Sequence, residues 1–126
     1  MDNGKAAQAS LNVLVVDDDM LIQMAMSDIL AELGHASVGA NSAEEALTLL
    51  MNGDSVDFVI TDHAMSGMTG LDLARKLRDT HPKLPVLLAT GFEELPGGCA
   101  DDDWPKLRKP FQPDELKTLL ERMTGS

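Results

Sequence analysis

Three carboxylates, a hydroxyl and an ammonium fall where short apolar runs end. Asp17 and Asp18 follow the run 11–16 (LNVLVV), and Asp62 follows 56–61 (VDFVIT). Thr90 closes 84–90 (LPVLLAT), and Lys109 closes 106–109 (KLRK). Taken singly, an acid after a strand is a turn former or a helix cap. As a set, these residues offer a defined chemistry. Clustered carboxylates repel one another and stay ionised when a cation sits among them. Magnesium prefers oxygen ligands and keeps several waters, so two or three carboxylates suit it, and manganese can substitute. A carboxylate can also attack a phosphoryl group and form an acyl phosphate. The Lys109 ammonium and the Thr90 hydroxyl are then suited to stabilise negative charge on the transferring oxygens.

The elements that must position these groups alternate along the chain. Run 11–16 is apolar and β-branched, as expected of a strand buried on both faces. Residues 20–33 carry apolar side chains at helical spacing (Leu21, Met24, Ala25, Ile29, Leu33), with Asp19 as N-cap and Gly34 as the stop. A weak strand at 36–40 precedes a helix opened by a capping box, Ser42 to Glu45, with a stripe of Ala46, Leu47, Leu49 and Leu50. Helix 71–78 presents Leu73, Ala74 and Leu77, and the closing helix 112–123 presents Leu116, Leu119 and Leu120. Between Gly91 and Pro105 the pattern is irregular, because Pro96-Gly97-Gly98 breaks any helix. The fourth of five strand–helix units is therefore expected to have a short or irregular helix. Alternation of this kind implies parallel strands with right-handed crossovers, hence a doubly wound α/β sheet. Ligands in such sheets sit beyond the carboxyl ends of the strands, where all five candidate side chains fall.

Composition bounds the rest. The 126 residues fit one domain, with a polar, disordered lead-in at 1–10 and the folded unit at 11–124. Hydrophobic residues make up 44% and charged residues 25%, the balance of a soluble globular chain. No apolar run reaches the ~20 residues needed to span a bilayer. Cys99 is the only cysteine, so no internal disulfide can form, and a reducing, cytoplasmic location is expected. The net charge of −11 argues against nucleic-acid and anionic-membrane binding.

Four motifs, VVDD at 15–18, FVITDHAMSGMTG at 58–70, LLATG at 87–91 and KPF at 109–111, give the chain a resemblance to the response-regulator receiver domains of two-component signalling. The resemblance covers nearly the whole chain. It implies a flavodoxin-like sheet of order 2-1-3-4-5 with Asp62 as phosphoacceptor. It also implies magnesium held directly by Asp18, Asp62 and the backbone carbonyl of Ala64, with Asp17 acting mostly through water. Thr90 and Lys109 would contact the phosphoryl oxygens. The implied donor is a histidine kinase or a histidine phosphotransfer protein. Such a protein catalyses its own phosphorylation and dephosphorylation but is primarily a signalling protein. LATGF followed by RKPF is also similar to stand-alone or hybrid-kinase receivers of alphaproteobacteria. No output domain follows in the sequence, so output by protein contact or phosphate relay is expected. A receiver belonging to a hybrid kinase, a flavodoxin-like module that carries no phosphate, and an aspartyl phosphohydrolase are the alternatives. The last lacks the second acid two residues after its nucleophile, where Ala64 stands.

Some positions depart from the family pattern. Ser66 stands where a proline is usual, and Thr69 replaces an acid that commonly caps the next helix; threonine caps nearly as well. Lys106 occupies the place of a usual aromatic, while Phe92 and Trp104 read as core filling. Ala64 and Phe92 cannot orient an attacking water, so a slowly hydrolysed acyl phosphate is expected. His35, His63 and His81 lack metal-site spacing, and His63 reads as a surface side chain.

Overall fold

Five short strands and four helices are present in the computed structural model, which describes residues 10–53, 55–63, 67–90, 106–108 and 112–124. The strands are β1 (Asn12–Val16), β2 (Ala36–Ala40), β3 (Phe58–Asp62), β4 (Val86–Thr90) and β5 (Lys106–Arg108). The helices are α1 (Met20–Glu32), α2 (Ala43–Met51), α3 (Gly70–Thr80) and α4 (Pro113–Thr124). Residues 1–9 of the lead-in expected at 1–10, Ala64, the stretch 91–105 expected to hold a short or irregular helix, and Lys109 lie outside the described residues.

All strand pairs are parallel, in the order β2-β1-β3-β4-β5. This is the doubly wound, flavodoxin-like arrangement expected from the sequence. Strand order reverses between β1 and β3, so a crevice opens above their carboxyl ends. Alternate strand residues supply two cores, one on each face of the sheet. Leu14, Val16, Val59, Val86 and Leu88 pack with Ala46, Leu50, Leu73 and Leu77 of α2 and α3. Val13, Val15, Phe58, Ile60, Leu87 and Ala89 pack with Met26 and Leu30 of α1 and Leu116 and Leu120 of α4. Continuous apolar strands are therefore required, because both faces are covered. Among the described residues, no helix is long and apolar enough to cross a membrane.

Capping follows the sequence closely. Asp19 accepts a hydrogen bond from the Leu21 N–H at 3.0 Å. Ser42 Oγ accepts from Glu45 N at 3.0 Å, while the Glu45 carboxylate accepts from the backbone N–H of Asn41, one residue earlier than a capping box requires. Thr69 and Asp72 form the full reciprocal box at the start of α3.

The facing of α1 corrects the sequence reading. Leu21 and Met24 are 76% and 57% exposed, whereas Gln23, Met26 and Leu30 are buried. Ile29 and Leu33 do pack against the core. The helix is apolar on nearly every side, so spacing alone did not select a face. Burial of Gln23, by polar partners described below, does.

His35 links α1 to the start of the sheet. Its Nδ1 accepts from Leu11 N at 3.1 Å, and Leu11 O accepts from Ala36 N at 2.9 Å. Burial lowers the pKa of this imidazole from its ordinary value of 6.5. The neutral ring is thus the folded form, and between the two pKa values the unfolded chain binds the extra proton. This contribution to stability is complete above pH 6.5 and is lost as pH falls through the lowered folded value. Urea midpoints measured at pH 7.5 and pH 5.5 are expected to drop more in the wild type than in His35→Gln; equal drops would refute the linkage.

Candidate functional site

The turn that ends β1 builds half of the site. Asp17 is 3% exposed, and its backbone N–H donates to Ala40 O at 3.1 Å, fixing the end of β1 against β2. Its Oδ1 accepts from the Asp19 N–H at 2.8 Å, which folds the carboxylate back over the turn into α1. Asp18 stands at the solvent side and is exposed.

β3 supplies the other half. Asp62, 6% exposed, is the last residue of the strand and pairs with Ala89 of β4. The buried Thr61 hydroxyl donates to Asp62 O at 3.0 Å. Beyond it, His63 N donates to Ala89 O at 3.3 Å, and His63 O accepts from Gly70 N at 3.0 Å. The loop between β3 and α3 is thereby closed at its base. A Cβ at Gly70 would collide with the Asp62 carbonyl oxygen and lie 2.9 Å from His63 Cα, so only glycine permits this approach.

Carboxylate oxygens of Asp17, Asp18 and Asp62 lie within 4.8 Å of one another. An all-oxygen set, two of its members buried and one open to water, fits a hard divalent cation that keeps part of its hydration. Zinc and copper prefer nitrogen and sulfur donors, which this cluster lacks. Register carries one further candidate, Thr90, to the same edge. Thr90 is the last residue of β4 and pairs with Arg108 of β5, the residue before Lys109. The Thr90 side chain, Lys109 and the Ala64 carbonyl lie outside the described residues.

His63 corrects a second expectation. It is half-buried rather than a surface side chain, and its Nδ1 is buried without a hydrogen-bond partner among the described residues. The sequence reading also missed Gln23 and Gly70. The signal for Gln23 was present: it is the only polar residue among 20–26, the first two turns of the helical stretch. Nothing local marked Gly70, whose role comes from contact across the loop.

A doubly wound parallel sheet with an acid cluster at its switch point defines a class of ligand-binding α/β domains, and comparison with known proteins narrows it. The family model of the response regulator receiver domain matches residues 13–121. The chain belongs to this family. It is 38% identical over 117 residues to the response regulator protein FleR of Pseudomonas aeruginosa, covering 87% of this chain and 24% of that protein. It is 34% identical over 121 residues to the sensor kinase CckA of Brucella abortus, covering 90% of this chain and 12% of that protein. The chain thus spans only part of the curated relatives it matches. Among solved structures, a receiver domain protein from Clostridium thermocellum superposes with a TM-score of 0.82 at 27% identity, covering 91% of this chain and 94% of that one. The response regulator TrrA from Thermotoga maritima, in complex with Mg(2+)-BeF, superposes with a TM-score of 0.81 at 29% identity, covering 90% of this chain and 98% of that one.

Proposed function

We propose that this receiver takes a phosphoryl group onto the Asp62 carboxylate from a phosphohistidine donor, with a divalent cation held at Asp17, Asp18 and Asp62. The observation that carries the proposal is the meeting of these carboxylates within 4.8 Å at the carboxyl ends of β1 and β3. An Asp62 oxygen forms a bond to phosphorus as the donor's P–N bond breaks, and the imidazole leaves with that electron pair and takes up a proton. Magnesium bound there would supply the positive charge that keeps the carboxylates ionised and balances charge on the transferring oxygens. Asp18 and Asp62 would be direct ligands with the Ala64 carbonyl, and Asp17 would act mostly through water. Thr90 would donate a hydrogen bond to the phosphoryl oxygens, and Lys109 would neutralise them. A histidine kinase or histidine phosphotransfer protein is the partner that fits this chemistry. The likeness to a receiver solved with magnesium and beryllofluoride supports the ion.

A small acyl phosphate tests the proposal without a partner protein. Incubated with it and magnesium, the protein is expected to gain the mass of one phosphoryl group. With the ion chelated, the gain should disappear. Absence of a gain under both conditions would overturn the proposal.

A further inference from the structure

Gln23 is buried on α1 with no apolar role to fill. Its Nε2 donates to Asp17 O at 2.8 Å, Ala40 O at 3.0 Å and Asn41 Oδ1 at 2.8 Å. An amide nitrogen has two hydrogens, so these three acceptors share them, and one contact is three-centred. The acceptors belong to the ends of β1 and β2 and to the turn into α2. That turn is tied in its own right, because Asn41 N donates to the Glu45 carboxylate at 2.6 Å. One side chain therefore joins four elements at the edge where Asp17 stands.

Gly39 makes room for it. A Cβ there would collide with Gln23 Oε1 and lie 2.9 Å from its Cδ. The amide is thus wedged between the β2 backbone on one side and the Asp17 carbonyl on the other. The Asp17 carboxylate is separately held by the Asp19 N–H, so that bond and the Gln23 amide grip the same residue at its carboxylate and at its peptide carbonyl.

We infer that Gln23 is a positioning residue for the acid site, setting the orientation of Asp17 and through it the affinity for the divalent cation. The inference rests on the proposed function. Groups that orient a ligand-bearing residue without touching the ion are commonly worth ten- to a hundredfold in metal affinity. A methionine at this position keeps the volume and removes the donor, and Gly39→Ala displaces the intact amide from the opposite side.

Magnesium alone, titrated calorimetrically into the full chain, tests this. Gln23→Met and Gly39→Ala are each expected to raise the magnesium Kd about tenfold. In an Asp17→Asn background, Gln23→Met should add less than about twofold, because the path it acts through has already been removed. Melting curves without metal check the fold of each variant, and Gly39→Ala carries the test if Gln23→Met does not fold. A wild type that binds no magnesium removes the proposed function itself. A wild type that binds, with both variants within about twofold of it, overturns the role of Gln23 alone. So does an undiminished effect of Gln23→Met in the Asp17→Asn background.

Discussion

Asparagine in place of Asp62 is expected to abolish phosphoryl uptake while leaving the fold intact. The substitution keeps the shape of the side chain at the end of β3 and replaces a charged oxygen with an amide nitrogen. An amide is a far poorer nucleophile toward phosphorus, and one anionic donor to the cation is lost with it. Uptake from a small acyl phosphate in the presence of magnesium should fall below about 1% of the wild-type rate. Intact mass measures it, and fragmentation of the phosphorylated wild type should place the adduct in the peptide containing Asp62. Backbone contacts at this position run through Thr61, His63 and Ala89, so the melting temperature should stay close to that of the wild type. Undiminished uptake by Asp62→Asn would move the chemistry to another residue, and His63, one position along the chain, would be the first to examine.

Alanine at Gly70 should be nearly as damaging, by a different route. The added carbon meets the Asp62 carbonyl oxygen and the His63 Cα, both backbone atoms that cannot swing aside. Relief requires the start of α3 to separate from the end of β3, which breaks the Gly70 N–H to His63 O hydrogen bond. Overpacking against backbone is expected to cost about 3 kcal/mol, which for a domain of this size lowers the melting temperature by roughly 10 °C. Because the strain falls on the phosphoacceptor's own peptide group, phosphoryl uptake should fall as well. Thermal melts and the mass assay on one preparation would measure both effects. A variant that melts and reacts like the wild type would contradict the close approach described for this turn.

Much of this was legible in the sequence, for identifiable reasons. Strands covered on both faces must be continuous apolar runs, so β1, β3 and β4 announced themselves, and so did the acids that stop them. Asp19, Ser42 and Thr69 were readable as caps because capping is local chemistry, settled within three or four residues. What failed was non-local. Leu21 and Met24 form a helical stripe as good as the one that is buried, and only the partners of Gln23 decide between them. Gly39 and Gly70 look like ordinary loop or edge glycines until the side chain or backbone that crosses each is known. The placement of Asp17, Asp18 and Asp62 could be inferred because a parallel sheet sends every strand's carboxyl end to one side. The brace behind Asp17 could not, since it joins residues 17, 23, 40 and 41 through contacts with no periodic trace.

The division of the apolar interior into two layers has its own consequence. Leu87 and Leu88 are consecutive, yet they belong to different layers, with the sheet between them. A void opened beneath one is walled off from the other by a sheet of hydrogen-bonded backbone and cannot be refilled from that side. Natural variation in the α2–α3 half can therefore drift independently of the α1–α4 half. Within the α1–α4 half, Gln23 and Gly39 must change in concert, because a side chain at 39 would occupy the space that the Gln23 amide fills.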